Sequence, residues 1–235
     1  MIFYKARVAS KDLISMKVIR VHLNLIKPLS MDFISGQFIS INIKEGVKRS
    51  YSITSSPNGT ANFDLVVDIS PAGAGSKFFE NLKVGDIINF LGPMGKFTLH
   101  SETGNVVFLA AGTGIAPIKS MIGYLLEKQE KNHDFQARKI YTYLGFRYLE
   151  DIFYKDYFEN LTKKHPNFFF KLILSRPVDG WIGDCGYVQN FIETKILQDP
   201  NSHFYVCGGG AMVKGVTQFL KSKQVNCERI HFEPF

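Results

Sequence analysis

Over the first hundred residues apolar and polar positions alternate in short runs. Phe3–Ala9, Ile14–Leu25, Gln37–Ile43, Phe63–Ile69 and Asp86–Leu91 read as strands whose side chains point in turn to two faces. Turn signals such as Pro57-Asn58-Gly59 and Val84-Gly85-Asp86 separate them. The clear helical stretch here, Ser76–Leu82, follows Gly73-Ala74-Gly75. Many short strands punctuated in this way predict an antiparallel barrel or sandwich.

Near residue 104 the rhythm changes. Val106–Ala111 is a continuous apolar run of strand length, and apolar residues at 115, 118, 121, 122, 125 and 126 then follow helical spacing to Lys131. Lys139–Leu144, Phe168–Leu174, Phe204–Cys207 and Arg229–Phe232 are further strands, with helices expected near 151–163, 186–196 and 211–223. Strand–helix alternation predicts a doubly wound, five-stranded parallel sheet in an α/β domain. A linker near Leu99–Gly104 separates a β-barrel domain, residues 1–100, from this α/β domain, residues 104–235.

Composition narrows the function classes. With 28 Lys+Arg against 21 Asp+Glu the net charge is +7, but the cations are dispersed, which favours a solvated surface or an acidic protein partner over nucleic acid. The three cysteines, at 185, 207 and 227, cannot supply four thiolates to an iron–sulfur cluster. The histidines show no metal-ligand spacing, so no metal site is expected. No apolar run reaches the length of a membrane span, and the first residues lack the order of a signal peptide, so a cytoplasmic protein is expected, its sequons at Asn58 and Asn160 unglycosylated.

Four segments carry candidate chemistry. Gly112-Thr113-Gly114-Ile115-Ala116-Pro117 joins a buried strand to an amphipathic helix, where glycines let the backbone approach a phosphate and the helix N-terminus offers N–H groups. Pro117 stands where the third glycine of the dinucleotide fingerprint would be. Cys207-Gly208-Gly209-Gly210 repeats the strand–glycine–helix arrangement. In the strand order 3-2-1-4-5 those two turns face each other at the point where the winding reverses. In the β half, Arg49-Ser50-Tyr51-Ser52 sets a cation and an aromatic on one strand face and hydroxyls on the other, suited to a planar anion or to a plain edge strand. Gly73-Ala74-Gly75-Ser76 offers N–H groups to a pyrophosphate, although Ser76 also reads as an ordinary helix cap.

These segments, with Gly92-Pro93-Met94-Gly95 and the ending Glu233-Pro234-Phe235, resemble the ferredoxin–NADP reductase superfamily over nearly the whole chain. The resemblance is to compact bacterial reductases and to the reductase modules of flavohaemoglobins and multicomponent oxygenases. It implies a six-stranded antiparallel β-barrel that binds FAD, followed by an α/β domain for NADP or NAD. Arg49 would pair with the FAD pyrophosphate, Tyr51 would stack on the isoalloxazine, and Ser52 would approach flavin N5. Val67 to Ile69 would offer backbone groups to the pyrimidine edge, and Gly73, Gly75 and Ser76 would bind the pyrophosphate.

In the second domain Gly112, Thr113 and Gly114 would hold the nicotinamide-side phosphates, with Cys207 and Gly208 beside the nicotinamide. Arg147, Ser175 and Arg176 resemble positions that hold the 2′-phosphate of NADP, while Glu150 and Asp151 keep NAD open. Catalytic roles fall to Ser52, Cys207, Glu233 and Phe235, the last covering the flavin face. The implied activity takes a hydride from NAD(P)H and passes electrons singly to an external acidic carrier, such as a ferredoxin, a flavodoxin or an oxygenase component. A free flavin or ferric reductase, and the reductase part of a multicomponent oxygenase, are the alternatives.

Overall fold

The computed structural model describes residues 2–57, 59, 61–100, 103–131 and 138–235. It divides into two compact units, Met1–Leu99 with Lys119–Tyr124, and His100–Ile118 with Leu125–Phe235. The expected 58–59 hairpin turn and the 99–104 linker lie partly outside the described residues.

The first unit is an antiparallel sheet of six strands: β1 (Ile2–Ser15), β2 (Val18–Lys27), β3 (Phe38–Lys44), β4 (Val47–Ser52), β5 (Asn62–Asp68) and β6 (Ile87–Met94). Their order is β4-β3-β6-β1-β2-β5, and the Ile53–Leu65 bridge joins the two outer strands. The expected strand Ile14–Leu25 is in fact two. Ser15 pairs with Val18, so the chain reverses through Met16 and Lys17. Neither turn residue is Gly, Asn or Pro, and the apolar alternation gives no warning of the reversal. Inward positions such as Val21, Leu23, Ile39, Ile41, Leu65 and Phe90 are fully buried and form one core. Each such side chain contributes roughly 1.5–3 kcal/mol on burial. Helix α1 (Ala74–Asn81) adds Phe79 to that core.

The second unit is a parallel sheet in the order β10-β9-β8-β7-β11-β12. Its strands are β7 (Val106–Ala111), β8 (Ile140–Phe146), β9 (Phe168–Leu174), β10 (Asp184–Cys185), β11 (His203–Gly208) and β12 (Ile230–Pro234). The five expected strands are present in the order 3-2-1-4-5, and the two-residue β10 extends the β9 edge as a sixth. Helices α2 (Ile115–Lys131), α3 (Lys155–Lys164), α4 (Thr194–Gln198) and α5 (Gly210–Ser222) connect them.

Two helices are shorter than the spacing predicts. The 151–163 region begins with a single helical turn at Leu149–Asp151, and Tyr154 then takes a left-handed conformation before α3 starts. The 186–196 region breaks into a turn at Val188–Phe191 and the one-turn α4. Its apolar residues, Val188, Ile192, Ile196 and Leu197, all reach the same core, so helical spacing survives although one continuous helix does not.

Candidate functional site

In the first unit the strand–turn–helix chemistry converges on the start of α1. A Cβ on Gly75 would lie 2.5 Å from the Tyr51 hydroxyl and 3.6 Å from Arg49 Cγ, so Arg49, Tyr51 and Gly75 form one group. The Tyr51 ring meets Phe79 edge-on at 4.7 Å between centroids. Burial pushes its phenol up to about 12, while Arg49 pulls it the other way. Tyr51 therefore stays a neutral hydrogen-bonding group throughout the physiological range.

The N-terminus of α1 has no side-chain cap from Gly73 and no acidic residue in its first turn. Ser76 does not cap it; its hydroxyl lies 3.5 Å from the carbonyl of Asp68. Uncapped N–H groups and a favourable dipole beside a guanidinium suit a pyrophosphate. The arrangement fits the anionic part of FAD.

Ser52 sits at the end of β4 opposite Phe38, half-buried. Two residues on, Thr54 is fully buried, and its hydroxyl has no hydrogen-bond partner. The β5 register separates the residues expected at a ring edge. Ile69 N–H donates to Lys17 C=O, and Val67 pairs with Ile19 two steps along the same ladder. The backbone groups of Val67 and Ile69 consequently face β2. Asp64 C=O accepts from Thr54 N–H on the opposite side, so Val66 and Asp68 are the residues turned toward β4. Pattern alone does not separate these neighbours, because the direction of a backbone group follows from strand pairing.

In the second unit, β7 and β11 are adjacent, and both of their Gly-rich turns leave the carboxyl edge of the sheet. A Cβ on Gly114 would collide with the Cys207 carbonyl oxygen and lie 2.8 Å from Gly208 N. Gly112 has φ +54, a conformation natural to glycine, and a side chain there would meet open space. Gly209 and Gly210 are equally open, and neither α2 nor α5 has an acidic residue in its first turn. Two neighbouring helix N-termini with bare backbone and open space above fit the phosphates of a dinucleotide.

Cys207 is 1% exposed, and burial holds its thiol far above the usual range, so it is not a thiolate nucleophile. It pairs in register with Glu233, whose carboxyl is also raised by burial. Phe235, largely exposed, donates its N–H to Gly208 C=O at 3.2 Å. The chain end is thereby pinned to the glycine turn.

Arg147, Ser175 and Arg176 meet at the ends of β8 and β9. Arg176 N–H donates to Arg147 C=O at 2.9 Å, and the Ser175 hydroxyl donates to Phe146 C=O at 3.3 Å. Arg176 also reaches the Tyr148 hydroxyl at 3.5 Å. Nothing in the sequence pattern singles out Tyr148; its place directly after Arg147 is the available signal. Trp181 is held on its own loop, donating from Nε1 to Asp184 C=O. Among the described residues no cluster of His, Cys, Asp or Glu is arranged to hold a metal ion, and no helix is long and apolar enough to cross a membrane.

Comparison with known proteins agrees with this geometry. Residues 5–99 match the oxidoreductase FAD-binding domain family, and residues 108–218 match the oxidoreductase NAD-binding domain family. Ferredoxin–NADP reductase B of Sorangium cellulosum is 31% identical over 214 residues, covering 86% of this chain and 85% of that protein. A component of the Na(+)-translocating NADH-quinone reductase of Klebsiella pneumoniae is 31% identical over 208 residues, which cover 82% of this chain and only 50% of that longer protein. The flavohaem-like FAD/NAD-binding domain of Vibrio cholerae nitric oxide dioxygenase shares the fold, with a TM-score of 0.84 over 99% of this chain and 98% of that one, at 21% identity. Matched along both halves and across nearly its full length, this chain belongs to the ferredoxin–NADP reductase family, as an oxidoreductase with an FAD-binding and an NAD-binding domain.

Proposed function

We propose that the protein oxidises NADPH, or less readily NADH, and delivers the electrons one at a time to an external acidic protein acceptor. Bound FAD would supply the conversion of a two-electron donor into single electrons. The observation that carries the reading is the meeting of Arg49, Tyr51 and Gly75 at the uncapped start of α1.

Each residue has a specific task. Arg49 neutralises pyrophosphate charge, and Tyr51, braced by Phe79, offers an aromatic surface and a neutral hydroxyl. Ser52 presents its hydroxyl to the ring edge, with Val66 and Asp68 offering the backbone groups turned toward β4. Gly112, Thr113 and Gly114 hold the nicotinamide-side phosphates. Cys207 gives a compact neutral wall beside the nicotinamide, and Glu233, whose carboxyl burial raises above its ordinary value, can orient a polar group or hold a proton there. Phe235 offers an exposed aromatic ring beside the Gly208 turn.

Arg147, Ser175 and Arg176 support the choice of NADPH. Two arginines and a serine joined by backbone bonds at the ends of β8 and β9 suit a dianionic 2′-phosphate. Charge supports the acidic acceptor: residues 1–99 hold 12 Lys+Arg against 7 Asp+Glu, most of the net charge of the chain. A cytoplasmic setting, where ferredoxins and flavodoxins circulate, suits that partner.

Anaerobic stopped-flow absorbance tests the reading. Protein purified with yellow flavin should bleach faster with NADPH than with NADH and then reduce added ferredoxin. A colourless protein that does not retain FAD would instead point to a diffusible flavin or ferric reductase.

A further inference from the structure

Three histidines far apart in sequence form a column in the second unit. The rings of His100 and His231 stack at 4.3 Å with 6° between planes, and those of His203 and His231 lie at 5.5 Å, again within 6°. His203 Nδ1 and His231 Nε2 are 3.1 Å apart. Tyr205 stacks on His231 at 4.7 Å and accepts the His100 backbone N–H through its hydroxyl at 3.0 Å.

The column sits at an edge of the sheet. β12 has one neighbour, β11, and no strand on its other side. Beyond His231 it carries Glu233, in register with Cys207, and then Phe235, tied by a single backbone bond to Gly208. Ring packing on His231 adds to the five in-register positions of the β11–β12 ladder in fixing this segment.

We infer that His231 is a positioning residue: its contact with His203, beneath the stacked ring of His100, helps to fix β12 and so places Glu233 and Phe235, and protonation of both His203 and His231 releases them. The placement of those two residues at the nicotinamide rests on the proposed reductase function; the coupling of β12 to the column does not.

The contact tolerates no more than one protonated ring. An N–H···N contact between two imidazoles needs one donor and one acceptor, so it fails when both carry protons. The charged neighbours that bear on the two rings oppose protonation. Burial first, then His100 and His203, lower His231 to about 4; burial, Arg138, Arg229 and His100 lower His203. Asp199, the carboxylate of this neighbourhood, is engaged by Asn105 and Ser202 instead. With the closed-strand pKa lowered, the open strand binds protons first, so closure weakens as pH falls below the ordinary histidine value near 6.5. For His231 alone, taking the pH from 7 to 4.5 should raise the open fraction about fiftyfold.

The test is hydrogen–deuterium exchange of the carboxyl-terminal peptide in the intact protein, corrected for intrinsic exchange rates. Wild type should lose protection about fiftyfold between pH 7 and 4.5. His231→Phe, which keeps a flat ring and cannot titrate, should be equally protected at both values, and His100→Phe should show an intermediate loss. Unchanged protection in wild type, or the same loss in His231→Phe, would overturn the coupling. Stopped-flow reduction of the bound flavin by NADPH over the same range then tests placement. An acid limb present in wild type and absent in His231→Phe supports it. If exchange follows the column while the rate does not, Glu233 and Phe235 are not the groups that matter to transfer.

Discussion

The α-carbon of Gly114 lies against the carbonyl of Cys207, so close that any side chain at 114 would collide with it. Residues 93 positions apart are in contact because the first and fourth strands of the parallel order are neighbours. The obstacle is backbone and cannot rotate away. Gly114→Ala should push the two turns apart, costing about 1–3 kcal/mol of stability. KM for NADPH should rise at least tenfold while FAD stays bound, readable from steady-state kinetics beside the flavin spectrum. An unchanged KM would mean that the two turns do not share a ligand.

Arg49→Ala and Tyr51→Ala should each weaken flavin retention. Loss of a charge-assisted contact corresponds to about 1.5–3 kcal/mol, or roughly ten- to a hundredfold in affinity. Tyr51→Phe should lose less, since the ring still rests on Phe79. Flavin released on desalting measures the order, and full retention in both alanine variants would remove the site from α1.

Cys207→Ala should slow hydride transfer severalfold with FAD still bound. The buried thiol is held above its usual range, so the rate should show no limb from its ionisation up to about pH 9. Rapid-mixing rates across pH 6–9 check both statements. Loss of flavin would mark the residue as structural.

Arg176→Ala should raise KM for NADPH by about tenfold or more and leave KM for NADH nearly unaltered. Equal effects on both nucleotides would assign Arg176 to a shared part of the dinucleotide.

Glu233 gives a stability prediction with a definite sign. Burial raises its folded-state pKa, so its favourable contribution is complete below the ordinary carboxyl value and is lost as pH rises through the raised one. Glu233→Gln should therefore raise the melting temperature at pH 7 and make little difference near pH 4. Thermal melts at the two pH values decide the matter, and destabilisation at pH 7 would contradict the sign.

The division into a β half and an α/β half was legible in the sequence because side-chain period reports secondary structure directly: Phe63–Ile69 alternates, and Ile115–Lys131 repeats at helical spacing. The glycine turns were legible too, since Gly112 and Gly75 occupy places where a side chain is unfavourable or obstructed. Partnership between distant segments was not. The reversal at Met16–Lys17, the added edge strand β10, and the turning of Val66 and Asp68 rather than Val67 toward β4 all depend on hydrogen bonds to another strand. The column joining His100, His203 and His231 likewise exists because parallel pairing sets Tyr205 beside His231. Local chemistry and periodicity are written along the chain, whereas register and cross-strand contact arise when separate segments bury a common core.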